Sequence, residues 1–188
     1  MKIYPLLFCV TVFLLTCCGK SEQEYLIKGT LPSMQFDGEW IYLVPMKDAP
    51  GRVDSVKIAN ASFDFKGEGE EMRVLRLRPI LRLRIQELLV ITEPGDIHVK
   101  ADSIGSVSGT PQNDALQSWK EAREKRQAVL FSLHNMQSED SVRMAQTQEA
   151  LHKQEQETNF LLLKTQGDNT LGNFMRQRLY HSLTEEQK

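Results

Sequence analysis

Between residues 24 and 110, apolar and polar side chains alternate with a period of two, and short groups of turn-forming residues interrupt the alternation. This pattern is typical of half-buried β-strands. Around Ala59-Asn60-Ala61 it predicts an antiparallel hairpin formed by residues 52–58 and 62–67. Because no helical period separates the stretches, seven to eight short strands predict an antiparallel β-sandwich. The predicted strands are residues 24–29, 39–45, 52–58, 62–67, 71–85, 87–92, 97–101 and 106–109.

After Pro111 the spacing of apolar residues becomes helical, and Gly and Pro almost disappear. We expect a first helix capped by Asn113 or Asp114 and a second helix that begins near Ser138. A third helix follows the break at residues 167–169. The predicted fold class is therefore mainly β with an α-helical C-terminal extension of two to three helices, an α+β arrangement.

The N-terminus has the order of a secretion signal. Lys2 precedes an apolar run over residues 3–15, and the run closes on Cys17-Cys18. This arrangement resembles the lipobox of bacterial lipoproteins, in which a cysteine is acylated and becomes the new N-terminus. We expect Cys18 to carry the lipid, with Cys17 as the fallback site. Plain secretion is an alternative, and a membrane-spanning helix is disfavoured because it needs about 20 apolar residues. The predicted segments are a lipoprotein signal peptide at residues 1–17, a polar tether at 18–23, the β-sandwich domain at 24–110 and the helical extension at 111–188.

The cysteines limit the chemistry that we expect of the mature chain. Cys9, Cys17 and Cys18 are the three cysteines, and all lie in or beside the signal. Processing before Cys18 leaves no free thiol, which excludes a disulfide, thiol–disulfide exchange and a thiolate metal site. The charge is nearly balanced, with 23 basic and 25 acidic side chains, and this argues against a nucleic-acid partner. We expect a protein of the cell envelope, anchored by lipid in the outer membrane on its periplasmic face or at the cell surface.

Other candidate chemistry is sparse. No pair of the four histidines has the i, i+4 spacing of a helical metal site, and His98 is expected to face outward from a strand. The pair Asp54-Ser55 is expected to supply hydrogen bonds near a turn rather than a catalytic group. We therefore predict no metal, no cofactor and no catalytic residue.

Several strands and turns together resemble a known family. The residues that match are Leu26–Thr30, Trp40–Leu43, Asp54–Val56, Ala61–Gly67, Glu93–Ile97 and Val107–Asn113. With them the chain is similar to the N-terminal domain of unknown function found in lipid-anchored thiol–disulfide oxidoreductases of Gram-negative bacteria. These residues form strands and turns and include no chemical motif, so the resemblance implies fold more than activity. In that family a helical spacer and a thioredoxin-like domain with a C-x-x-C motif follow the β domain, whereas residues 19–188 of this chain contain no cysteine.

One group of basic residues supports a binding hypothesis. Arginines recur through residues 73–84, and strand parity places four of them on one face opposite the leucines. A turn at residues 79–81 would set like charges opposite each other, which is destabilising. Either nearby acids such as Glu68, Glu70, Glu71 or Glu87 compensate, or the face binds an anion. The candidate ligands are a carboxylate, a sulfated glycan, a lipid phosphate or an acidic protein. The group consists of Arg73, Arg76, Arg78, Arg82 and Arg84, of which the last four share the face.

The leading hypothesis is a non-enzymatic, lipid-anchored accessory or interaction module of the cell envelope. One alternative is an N-terminal fragment or partner subunit of a thioredoxin-like thiol–disulfide oxidoreductase, and another is anion or glycan binding at the arginine face. The helical extension has two interpretations of its own. Its apolar residues either pack on the sandwich and on neighbouring helices, or form a docking face for a separate redox protein. Those residues are Leu116, Trp119, Leu130 and Leu133.

Overall fold

The computed structural model describes residues 24–46, 53–78, 85–135, 141–180 and Leu183. The predicted signal peptide and tether, with Cys17 and Cys18, lie outside these residues. In the described part eight strands precede three helices, which confirms the predicted mainly β fold with a helical C-terminal part. The strands are β1 (Glu24–Thr30), β2 (Trp40–Pro45), β3 (Asp54–Lys57), β4 (Ser62–Glu68), β5 (Met72–Leu77), β6 (Leu88–Ile91), β7 (Gly95–Lys100) and β8 (Ser106–Ser108). The helices are α1 (Pro111–Asn135), α2 (Ser141–Gln166) and α3 (Thr170–Leu179).

The described strands form two four-stranded sheets. The first sheet has the order β4-β1-β7-β8 and the second has the order β3-β2-β5-β6. Neighbouring strands pair antiparallel, as predicted, except that β1 and β7 are parallel and place Ile27 opposite Ile97. Tight turns join only antiparallel strands, whereas β1 and β7 are connected through the whole second sheet. The first sheet is therefore mixed rather than purely antiparallel.

The hairpin predicted around Ala59-Asn60-Ala61 is wrong, although the turn itself forms. Asn60 and Ala61 have φ angles of 53° and 52°, and their backbone N–H groups donate to the carboxylate of Asp37 at 2.9 and 2.8 Å. The turn closes one bridge, between Ala59 and Ser62. Beyond it β3 pairs with β2 and β4 pairs with β1, so the turn carries the chain from one sheet to the other.

The core lies between the inner faces of the two sheets. Along each strand the inward positions alternate with outward ones, as the period of two predicted. Burial of this apolar layer is the main source of stability in a sandwich of this size. Its central members, each at most 2% exposed, are Ile27 and Ile97 in the first sheet and Ile41, Leu43 and Leu75 in the second.

Short connections define two ends of the sandwich. Residues 69–71 join β4 to β5, and residues 92–94 join β6 to β7, so these links lie at the same end as Glu24. Residues 58–61 join β3 to β4 at the opposite end, where β2 begins at Trp40. We call these the Glu24 end and the Trp40 end.

Helix α1 starts at the Glu24 end and passes the Trp40 end. Near its start the backbone N–H of Gln112 donates to Glu93 in the β6–β7 link at 2.7 Å. Further along, the ammonium of Lys120 donates to the carbonyl oxygens of Ile104 and Gly105, in the β7–β8 loop at the Trp40 end. Residues 121–135 then continue for about 20 Å, at 1.5 Å per residue.

Helix α2 returns along α1 and forms a two-helix arm with it. The Trp119 indole N–H donates to Asn159 Oδ1 at 2.9 Å, and the Arg126 guanidinium binds Glu155 at 2.5 Å. We call residues 121–135 and 141–157 the arm. None of the helices in the described part of the chain is both long and apolar enough to cross a membrane.

The start of α1 differs from the prediction. The helix begins at Pro111, whose missing N–H suits a first helical position, so Asn113 and Asp114 lie in the first turn rather than at the cap. The second helix is described from Ser141, and the predicted start near Ser138 lies outside the described residues. The third helix follows residues 167–169 as predicted, with Asn169 capping it through Gly172 N–H.

Candidate functional site

Basic and aromatic side chains share the outer face of the second sheet. Strand register places Trp40 beside Lys57 and Tyr42 beside Arg76. Arg78 is one residue past Leu77, the partner of Ile41, which brings it level with Trp40. Trp40 is 40% exposed. We call this the basic–aromatic face, and it consists of Trp40, Tyr42, Lys57, Arg76 and Arg78.

The predicted parity of the arginines is confirmed where the strand is described. The side chains of Arg76 and Arg78 are exposed, whereas Leu75 and Leu77 are buried on the inner face. Strand β5 runs from Met72 to Leu77. Arg82, Arg84 and the predicted turn at residues 79–81 lie outside the described residues.

Acidic neighbours compensate the two described arginines. Arg76 Nε lies 3.5 Å from Glu87 Oε1, and an Arg78 Nη atom lies 3.4 Å from Glu39 Oε2. Glu87 was among the predicted partners, but Glu39 was not. The Lys57 ammonium lies 5.4 Å from the centroid of the Trp40 ring, within the range of a cation–π contact. The two arginines are about half exposed and their acidic partners less so, and ion pairs that are open to water contribute about 0–1 kcal/mol each.

Arg73 belongs to a different environment. It is buried on the inner side of β5 at the Glu24 end, where its guanidinium binds Asp54 at 2.8 Å and also pairs with Glu71. Burial lowers the pKa of Arg73, but its hydrogen bond to Glu71 and the charges around it raise the pKa by more than burial lowers it. The pKa of Arg73 is therefore above its ordinary value. Burial likewise raises the pKa of the neighbouring Tyr25, against the effect of Arg73. Asp54 is therefore part of a structural ion pair, a role that its position beside Ser55 did not reveal.

A polar joint connects the sandwich to α1. The buried carboxylate of Glu93 accepts the backbone N–H groups of Gln112 and Asn113 at 2.7 and 3.0 Å, in the first turn of α1. The fully buried amide of Asn113 accepts the N–H of Ile91 and donates to the Ile91 carbonyl. It also donates to the hydroxyl of Thr110. The joint satisfies the start of the helix and fixes it to strand β6.

This joint unites two of the motifs that carried the resemblance, and the sequence comparison covers both. Residues 25–116 match the family described as a domain of unknown function (DUF4369). The chain contains a DUF4369 domain. The predicted domain-of-unknown-function family is thereby confirmed, while its association with thioredoxin-like enzymes stays a prediction. Searches of curated proteins and of solved structures found no match to this chain.

The DUF4369 match extends past the boundary that the hydrophobic pattern predicted. It ends at residue 116, within α1, and so includes Gln112, Asn113 and the buried Leu116. The period change at Pro111 marks the start of a helix, but the first turns of that helix pack into the sandwich. The side-chain hydrogen bonds of the joint hold these first turns against the sandwich.

The joint reaches α3 through one more residue. Gln112 accepts the Leu171 N–H at 2.9 Å, and its amide donates to Glu70 at 2.9 Å. Burial raises the pKa of Glu70, but hydrogen bonds from Gln112 and Thr170 outweigh it and lower that pKa overall. These groups satisfy one another, so we assign the network to structure rather than to ligand binding.

The remaining predicted residues have plain environments. His98 is exposed on β7, opposite Ser108, as its parity predicted. In the helices Leu116 is buried and Trp119, Leu130 and Leu133 are half-buried, which favours the packing interpretation of these residues. Within the described residues no three or more His, Cys, Asp or Glu side chains are grouped to hold a metal ion.

Open grooves flank the helices of the DUF4369 chain. A cavity of about 540 Å³ lies between the Glu24 ends of β2 and β5 and α3, with Met46, Met72 and Phe174 among its lining. A smaller one of about 350 Å³ lies between α1 and α2 beside Trp119 and Arg126. In the larger groove, Glu70 is engaged by Gln112 and Thr170 in the structural network described above. The basic–aromatic face is therefore the better candidate site.

Proposed function

We propose that this protein is a non-enzymatic, lipid-anchored accessory module of the cell envelope that recognises a ligand or partner on the surface facing away from its anchor. The anchor is the acylated Cys18, in the outer membrane on its periplasmic face or at the cell surface. The N-terminal sequence supports the anchor, and the direction in which the fold is built supports the orientation.

The observation that carries the proposal is the polarity of the sandwich. Five residues, 19–23, separate Cys18, the lipidation site, from Glu24, the first residue of β1, so the distance from Cys18 to Glu24 is at most about 22 Å. The Glu24 end therefore stays near the membrane. Trp40, Lys57 and Arg78 lie toward the other end, and the arm extends beyond it. A binding face and an arm are thus presented to the space outside the bilayer.

An alternative proposal is that the chain is a fragment or partner subunit of a thioredoxin-like thiol–disulfide oxidoreductase. Because residues 19–188 contain no cysteine, the redox-active pair would have to come from another polypeptide or segment. Disulfide reduction by residues 18–188 alone would contradict both proposals.

Lipid attachment is tested by two matched substitutions. In a Gram-negative host fed a fatty acid with a clickable terminal alkyne, the wild-type chain and Cys17→Ala are expected to take up label and to fractionate with membranes. Cys18→Ala is expected to lose the label and to retain its leader peptide. Label lost in Cys17→Ala and kept in Cys18→Ala would instead assign the fallback site. An unlabelled wild-type chain with a free Cys18 thiol would refute the anchor.

A further inference from the structure

The basic–aromatic face has a composition that its role in the fold does not require. Trp40, which is 40% exposed, lies on the outer side of β2. Three cations lie beside it: Lys57 on β3, Arg76 on β5 and Arg78 one residue past the end of β5. The described acids paired with this face are Glu39 and Glu87, against the cations of Lys57, Arg76 and Arg78. The face therefore keeps an excess of positive charge beside an accessible aromatic ring.

Its shape suits an extended ligand more than a small enclosed one. The residues are spread over β3, β2 and β5, and adjacent strands lie about 4.8 Å apart, so the face is about 10 Å wide. That width matches about two linked sugar rings at ordinary bond lengths. The face is an open sheet surface rather than a closed pocket, which leaves both ends of a chain-like ligand free.

We propose that the basic–aromatic face binds an acidic glycan, a polysaccharide that carries carboxylate or sulfate groups. The guanidinium groups of Arg76 and Arg78 donate paired hydrogen bonds to such planar or trigonal anions. The indole of Trp40 provides a flat apolar surface for the C–H face of a sugar ring, as aromatic side chains with one apolar and one polar aspect commonly do. Lys57 adds a point charge beside the ring.

The same chemistry would attract a phosphate headgroup of a lipid, but the location argues against it. This step rests on the proposed function, since an anchor at Cys18 holds the Glu24 end at the membrane. Trp40 and Arg78 lie at the opposite end of strands β2 and β5, which is the end distant from the bilayer to which the chain is tethered. A soluble or surface polysaccharide reaches this face, whereas the headgroups of the anchoring membrane do not.

The test uses the mature chain, residues 18–188, and measures Kd by isothermal titration calorimetry against heparin, polygalacturonate and neutral dextran. Arg76→Gln combined with Arg78→Gln is expected to weaken binding to the acidic glycans at least tenfold, and Trp40→Ala is expected to weaken it several-fold. Lys66→Gln combined with Lys100→Gln is the matched control. It removes two exposed, acid-paired cations from the first sheet and is expected to change the Kd less than twofold.

Circular dichroism and the melting temperature show that each variant is folded before its binding is compared. Equal weakening by the control pair would mean non-specific charge attraction and would overturn the site. Full binding in Trp40→Ala would overturn the glycan assignment and leave a bare anion site. A fourth outcome is that the chain binds phosphatidylglycerol vesicles but neither acidic glycan, and that the arginine pair loses the vesicle binding. This would overturn the glycan proposal and identify the face as a lipid-binding site. Failure of glycan binding leaves the lipid label at Cys18 unchanged, so the two proposals fail separately.

Discussion

At the scale of single residues, the buried charge of Arg73 governs the Glu24 end of the sandwich. Its guanidinium lies between two carboxylates, those of Asp54 and Glu71, which keep about a third or more of their side-chain surface in water. Taking an arginine out of water is unfavourable unless its donors are satisfied, and here both acids satisfy them. Removing the cation therefore leaves two like charges close together in a partly dry environment.

We expect Arg73→Met, which keeps most of the side-chain volume, to lower the free energy of unfolding by about 2 kcal/mol, below the full cost of a broken buried pair because the acids are partly solvated. Arg76→Met removes an exposed cation from the same strand and is expected to cost less than about 1 kcal/mol. Urea denaturation of both variants measures the difference. Equal losses would show that Arg73 contributes nothing beyond an ordinary surface pair.

Glu70 makes stability depend on pH. Its pKa is lowered in the folded chain, so its contribution is present above the pKa of the unfolded state and is lost as the pH falls toward the folded pKa. On acidification below about pH 4.5, the ordinary pKa of a glutamate side chain, wild type is expected to lose stability more steeply than Glu70→Gln. Melting temperatures measured between pH 7 and pH 3 compare the two. Parallel curves would contradict the assigned role of Gln112 and Thr170.

At the scale of secondary-structure elements, the joint between β6 and α1 decides how the helical part is attached. The Asn113 amide completes the hydrogen bonding of Ile91 within the sheet, while Glu93 completes that of the helix. Both residues are buried, so each hydrogen bond lost there leaves an unpaired buried group.

Asn113→Ala is expected to destabilise the protein by about 3 kcal/mol, because both backbone groups of Ile91 then lack a partner. The same substitution at Asn173, an exposed residue in the first turn of α3, is expected to cost about 1 kcal/mol or less. Thermal unfolding compares the two variants. A small loss at Asn113 would mean that water or another side chain replaces its amide.

The elements themselves could largely be placed from the sequence, but their partners could not. The period of two positions β1 to β8 because one face of each strand is buried, and His98 and Arg76 face outward for the same reason. Which strands pair within a sheet depends on contacts between residues that are distant in sequence. Thus β1 pairs with β7 about 70 residues later, and β3 leaves its neighbour β4 at once. Alternation alone gives no signal for either.

The candidate site could likewise be predicted only where it depends on a single strand. Strand parity identified Arg76 and Arg78, since that depends on one strand only. It could not add Trp40, Tyr42 and Lys57, which join the face through the order β3-β2-β5. Arg73 was grouped with the others by composition, although its parity with Leu75 already indicated the inner face.

At the scale of the whole molecule, the helical part consists of the arm and a base. The base is formed by the described helical residues outside the arm. The base is tied to the sandwich by the joint and by α3, in which Leu171 and Met175 are fully buried. Apolar side chains along the arm, such as Phe131 and Val142, are more than 60% exposed. Local opening is therefore easier in the arm than in the base.

Limited trypsin digestion distinguishes this arrangement from an undocked tail. We expect the first cuts at exposed arm residues such as Lys125 and Arg143, with the two fragments co-eluting in size-exclusion chromatography. They stay together because Leu116 on one fragment and Met175 on the other are both held in the core. Release of everything after residue 111 would contradict docking of the base, and Asn113→Ala is expected to move the pattern toward that release.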